Sequence, residues 1–285
     1  VAAAALVVHA ALFFGAFDRA YFENNSTDGR HYRVIAENVL AGHGFTLREE
    51  PPYAPDAVRT PMYPLFLAGV KTVTGSYFFS LYLALLLGIA VPLVGMRLAS
   101  LLCHDRRVWM VTGLVLALDW HVFYYSFIYG SEGLFLPVVS TAVLLSALAL
   151  AKRSWKWSLA AGAAFGLAVL TRPIVQFLPV LFSAVAITSL WRSSRRRGFA
   201  MAGAFAAMFF LVASPWLSRN VRTFGELDYS SVGWFNMYTR VAAHAEAIHF
   251  NRPFDGMRLE YLQRLYDKGY VTKQPVEERE VFGFD

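Results

Sequence analysis

The sequence has little of what a soluble domain or a small secreted scaffold relies on. Cys103 is the only cysteine among 285 residues, which excludes a disulfide framework within the chain. Charged residues make up 16% and apolar residues 56%. An ordinary soluble domain has about 25% and about 45–50% respectively. High hydrophobicity with low charge also excludes intrinsic disorder. No P-loop, no dinucleotide-type glycine motif after a strand and no serine nucleophile elbow is present. There is no internal repeat, no low-complexity stretch and no flexible linker.

What the chain does have is long apolar runs. A helix needs about 20 mostly apolar residues to cross the hydrocarbon core of a bilayer. Seven such runs are legible: Val1–Phe17, Tyr77–Leu102, Val108–Ile128, Gly133–Ala151, Trp157–Thr171, Ile174–Trp191 and Phe199–Leu217. The first and fifth are short. A cleaved signal peptide is the alternative for the first, but no basic segment precedes it and further runs follow. The expected architecture is an all-α polytopic membrane protein of about seven spans. Val1–Leu217 forms the transmembrane module, with a first outer loop over 18–76, and Ser218–Asp285 forms an outer C-terminal segment.

Lys and Arg in the short loops set the orientation. With the N-terminus inside, the inner loops hold Arg97, Arg106, Arg107, Lys152, Arg153, Lys156, Arg192, Arg195, Arg196 and Arg197 against Asp105 alone. That is +9; the remaining 16 bases and 19 acids give −3, against +6 for the whole chain. The high pI of about 9.5 is therefore a topology signal and not a nucleic-acid footprint. The run Arg192-Ser193-Ser194-Arg195-Arg196-Arg197 also suits anionic headgroups on the cytoplasmic leaflet.

The first outer loop is long for a connection between membrane helices. Tyr32, Ile35, Ala36, Val39 and Leu40 recur at helical spacing, with Arg30, Arg33, Glu37 and Asn38 on the other face. This predicts a short amphipathic helix in the membrane interface, ended by Gly42 and Gly44. Pro51, Pro52, Pro55 and Pro61 predict a stiff, extended return. An apolar stretch, Met62–Val73, follows, with Tyr63 and Tyr77 suited to headgroup level. Asp28 stands ahead of the amphipathic helix. It reads as an N-cap, which spacing alone favours, or as a catalytic carboxylate at the mouth of a cavity. Ser26 or Thr27 offers a cap in the second case.

Glu132, Arg172 and Arg219 sit at the outer ends of apolar runs, and Arg59 closes the first loop. A charge at a helix end often marks only the membrane boundary, and arginine snorkels there. These arginines are nevertheless kept on the side that disfavours positive charge, and an anionic ligand is one reason to keep them. Asp119 lies deep in the third run. It is either an intramembrane carboxylate or the start of an interfacial helix with Trp120, Tyr124 and Tyr125. His244, Glu246 and His249 lack the i, i+4 histidine pair of a helical metal site and read as surface positions. Gly162-x-x-x-Gly166 reads as a helix-packing motif.

Taken together, these segments resemble the integral-membrane GT-C glycosyltransferases. The branch is that of the dolichyl-phosphate-mannose protein mannosyltransferases and the bacterial lipid A aminoarabinose transferases. The resemblance rests on Asp28 in STDGRHYRVIAENVLAGHGFT, Arg59 in VRTPMYPLFLAG, Glu132 in YYSFIYGSEGLFL, Arg172 in GLAVLTRPIVQFLP and Arg219 in SPWLSRNVRTFGEL. It implies a polyprenyl-phosphate-linked sugar donor and transfer to a hydroxyl of a lipid, glycan or protein acceptor, on the periplasmic or extracellular face of the plasma (inner) membrane. It implies Asp28 as general base, Glu132 as a second acid, and Arg59, Arg172 and Arg219 around the donor phosphate. Asp28 is followed by Gly29, where many relatives have a second acid. No cofactor is required by the sequence, although acidic pairs in such sites can hold a divalent cation. The family has more membrane helices than these seven runs, so the resemblance implies that acceptor-binding parts carried by the family's C-terminal half are absent here. A transporter or lipid flippase is the competing reading, and Asp119 is the feature that favours it. A non-catalytic membrane scaffold is a third, which leaves the sided charges without a role.

Overall fold

The computed structural model describes Val7 and residues 27–268, and all regular structure among them is helical. The first apolar run, Val1–Phe17, lies outside the described residues except for Val7. Two units are present. One comprises the residues up to Asp56 together with Thr60–Tyr229; the other comprises Ala57–Arg59 and the residues from Ser230 on.

In the first unit the helices are α1 Thr27–Leu40, α2 Met62–Thr74, α3 Phe79–Leu102, α4 Arg106–Ala117, α5 Trp120–Tyr124, α6 Glu132–Lys152, α7 Trp155–Thr171, α8 Leu178–Leu190 and α9 Arg195–Phe224. A 3-10 turn, Pro173–Val175, leads into α8. Among the described residues, four helices are long and apolar enough to cross a membrane: Phe79–Leu102, Glu132–Lys152, Pro173–Leu190 and Arg195–Phe224. Of the seven expected spans, these four are seen by length and composition among the described residues. The run Val108–Ile128 breaks at Asp119, whose carboxylate accepts the His121 and Val122 N–H groups at 2.8 and 3.2 Å and starts α5. The remaining α4 has 12 residues and rises about 18 Å, well short of the ~30 Å core. At 17 residues α7 rises about 25 Å and packs along α6 and α9.

Packing runs α4–α3–α6–α7–α9–α8, each helix against the next. The core of α6–α9 is Phe165, Phe182, Met201, Phe205 and Phe209 with small residues between, and Phe182 stacks on Phe205 at 4.3 Å. The α7–α9 contact explains the glycine motif. A Cβ on Gly162 would lie 2.3 Å from the Phe205 carbonyl oxygen, so only a bare Cα fits there.

The amphipathic helix α1 forms and ends at Gly42, whose φ of 79° is left-handed. Its apolar face packs on protein: Tyr32 and Ala36 join Tyr63, Leu67, Ala68, Leu81 and Tyr129 in a second core. Lys71 of α2 pairs with Glu37 of α1. Tyr63 is buried there against Tyr32. The predicted extended return instead doubles back on itself. Thr46 Oγ1 donates to the Ala54 carbonyl at 2.6 Å, Asp56 N to Phe45 at 2.9 Å, and Asn38 of α1 donates to the carbonyls of Thr46 and Arg48. Buried polar groups satisfied within the loop hold it in one shape.

The second unit is helical from Val232 to His249: α10 Val232–Asn236, a π-helical turn Met237–Ala242, and α11 Ala243–His249. It turns at Phe250–Pro253 into α12, Phe254–Asp267. Ala243, Ala247, Met257 and Tyr261 form its core. Ala57 accepts the Ser231 N–H at 2.9 Å, and Val58 accepts from the Ser230 hydroxyl.

Candidate active site

The start of α6 and the end of α7 meet, and two opposite charges meet with them. Glu132 opens α6, where a carboxylate suits the positive end of the helix dipole. Arg172 closes α7, where a cation suits the negative end. Pro173 forces the preceding residue out of helical conformation, and Arg172 is extended at φ −147°, ψ 125°. Its guanidinium forms an ion pair with Glu132, and both side chains keep partial access to solvent at 37% and 27%. Gly130 makes room for this. A Cβ there would stand 2.8 Å from Glu132 Oε2.

The pair is held in a hydroxyl network. Arg172 Nη1 donates to Ser131 Oγ at 3.2 Å, and the Tyr32 hydroxyl of α1 donates to the same oxygen at 3.2 Å. Ser131 is buried. Tyr32 stands edge-on to Tyr63 at 4.9 Å, and Arg33 lies over the Tyr129 ring at 5.2 Å. Burial, then the neighbouring Tyr32, Tyr129 and Glu132, pushes the Tyr63 hydroxyl well above its ordinary range, so it stays protonated. Next to Arg172, the Thr171 carbonyl accepts from the Thr60 hydroxyl at 2.7 Å, which ties the lead-in to α2 onto the end of α7.

Asp28 is exposed in the first turn of α1. It is four residues ahead of Tyr32 and so on the same helix face, one turn nearer the N-terminus. Asp28 is therefore inside the helix and not ahead of it; Ser26 lies outside the described residues, as does the Thr27 side chain.

Arg219 has a different set of partners. It donates to the Asp56 carbonyl at 2.7 Å, to Asn220 Oδ1 at 2.8 Å and to the Phe45 carbonyl at 3.5 Å. Its guanidinium also faces the rings of Trp216 and Phe224 at 4.6 and 5.0 Å. This arginine clamps the first loop to α9. Arg59 belongs to the second unit, beside Val58. Among the described residues no group of three His, Cys, Asp or Glu side chains is placed to hold a metal ion. His244 and His249 pack against Phe254 and Phe250, and the Glu246 carboxylate lies 3.8 Å from Arg264.

Ser131, Tyr32 and Gly130 were not singled out for this site by the sequence. Tyr32 gave a signal only as one member of an apolar stripe. Ser131 gave none, because a hydroxyl's partners depend on which helix ends come together.

The helices, the membrane-length apolar spans and the charged pair at their ends define a multi-pass membrane protein with a polar site at one end of its bundle. Residues 58–218 match the family model described as dolichyl-phosphate-mannose-protein mannosyltransferase, and the chain belongs to that family. It is a membrane glycosyltransferase of the type that uses a dolichyl- or polyprenyl-phosphate sugar. The match includes Arg59, Glu132 and Arg172, begins after Asp28 and stops one residue before Arg219. No curated protein and no solved structure matches the chain.

Proposed function

We propose that Glu132, Arg172 and Asp28 form the reaction end of this glycosyltransferase, with the donor phosphate taken by Arg172. The observation that carries the reading is the Glu132–Arg172 ion pair, seated on Ser131 and Tyr32 where α6 begins and α7 ends. A planar guanidinium can bond phosphate oxygens in pairs, and the Glu132 carboxylate holds that position until phosphate exchanges for it. The acceptor O–H gives its proton to Asp28 as a new bond forms between oxygen and the anomeric carbon. The bond from that carbon to the phosphate oxygen breaks, and the phosphate leaves with the electron pair, stabilised by Arg172. Attack opposite the leaving group inverts the anomeric centre, an outcome taken from the family resemblance. Arg59 is retained as a donor-phosphate residue on the same ground. Arg219 supports the site by holding the first loop. The reading also places the site on the extracytoplasmic face, since the opposite loops carry the ten basic residues. The acceptor is a hydroxyl on a lipid, glycan or protein. Transport loses its one supporting feature, because the Asp119 carboxylate caps α5.

The test is donor binding and sugar transfer in proteoliposomes. Arg172→Gln should weaken binding of polyprenyl phosphate at least tenfold, or about 1.4 kcal/mol. Glu132→Gln frees the guanidinium and should leave binding intact or tighter while transfer falls. Asp28→Asn should abolish transfer with binding retained. Equal loss of binding in the two α6–α7 variants would reduce the pair to a structural contact and remove this assignment.

A further inference from the structure

The opposite end of the bundle carries a second charged surface, and no step of the reaction uses it. The turns between α6 and α7 and between α8 and α9 are there, with Lys152, Arg153 and Lys156 on one and Arg192 and Arg195–Arg197 on the other. All seven are exposed, and none has an ion-pair partner among the described residues. In the nearby α3–α4 turn, Asp105 is engaged in capping α4, its carboxylate accepting the Arg107 N–H at 2.8 Å.

The fold brings the two basic turns to one level. Gly162 of α7 touches Phe205 of α9. Gly162 lies seven residues into α7 and Phe205 ten into α9, about 10 and 15 Å along parallel axes. Packed helix axes are about 8–10 Å apart, so the turns lie side by side. Two of the cations are held by aromatic shelves: Arg195 over Trp191 at 4.1 Å and Lys152 over Trp157 at 4.7 Å. Three arginines also fill the first turn of α9, where the helix dipole disfavours positive charge. Next to the cations, Trp155, Trp191 and Phe199 are exposed apolar surface. Cations above an apolar wall match an anionic headgroup above its acyl chains.

We propose that this end of the α6–α9 bundle is a binding surface for anionic phospholipid, such as phosphatidylglycerol, separate from the donor site and independent of its assignment. The test is native mass spectrometry of the full chain from micelles holding equal phosphatidylglycerol and phosphatidylcholine. The wild-type protein should retain phosphatidylglycerol at least tenfold over phosphatidylcholine. The combined variant Arg192→Gln, Arg195→Gln, Arg196→Gln, Arg197→Gln should lose that preference, while Arg172→Gln should keep it. If the fourfold variant does not fold, the wild-type protein decides. Its preference should fall steeply between 0.05 and 1 M salt, on the order of the change in screening length from above 10 Å to about 3 Å. No preference in the wild type, a preference surviving the substitutions or high salt, or displacement of the lipid by 10 mM inorganic phosphate, on the order of a large excess over protein, would each overturn the proposal.

Discussion

Asp119 shows how one side chain decides between two readings the sequence leaves open. In the sequence it is a carboxylate within an apolar run; in the structure it accepts two backbone N–H groups at the start of α5. Asp119→Ala should therefore lower stability by about 0.5–2 kcal/mol, as loss of an N-cap does, and leave transfer unchanged. Thermal unfolding in detergent and the transfer assay check the two halves. A proton-relay role would give the opposite pattern. Glu132 and Arg172 were legible in the sequence as charges at the ends of apolar runs. Their pairing through Ser131 and Tyr32 was not, since Tyr32 and Ser131 are 99 residues apart in the chain and only tertiary packing joins them.

At the scale of elements, hydropathy gave good bounds where a run was both long and uninterrupted. Tyr77–Leu102 became Phe79–Leu102 and Gly133–Ala151 became Glu132–Lys152. It failed at Val108–Ile128, because an average over apolar residues does not register a cap within them. The run Phe199–Leu217 was read too short: α9 continues to Phe224, and Gly225 ends it at φ 76°. The Gly162 motif was read correctly as packing. Gly162→Val should cost roughly 1–3 kcal/mol or more, because the new side chain meets a main-chain carbonyl that cannot turn aside. Thermal stability should fall markedly, whereas Gly69→Ala, with open space around its Cα, should change it little.

At the scale of the whole molecule, composition alone placed the chain among polytopic helical membrane proteins, and the family match agrees. The fold of the first loop was not legible, because its shape comes from side chains bonding distant carbonyls and not from any periodic pattern. Arg219 is the clearest case. Arg219→Gln should release the segment around Phe45–Asp56, measured as faster limited proteolysis there and a stability loss of roughly 1–3 kcal/mol. Weakened donor binding with the loop still protected would instead make Arg219 a direct phosphate ligand.

The Glu132 carboxylate already occupies Arg172. It is tethered beside that guanidinium at a high effective concentration, so any incoming anion must outcompete a resident one. On the proposed reading of Arg172, small diffusible anions have nothing else with which to win that exchange. A phosphate carried on a long hydrocarbon does, because its tail draws on the bilayer, and the internal carboxylate would then act as a threshold that admits lipid-borne ligands and turns away their water-soluble counterparts.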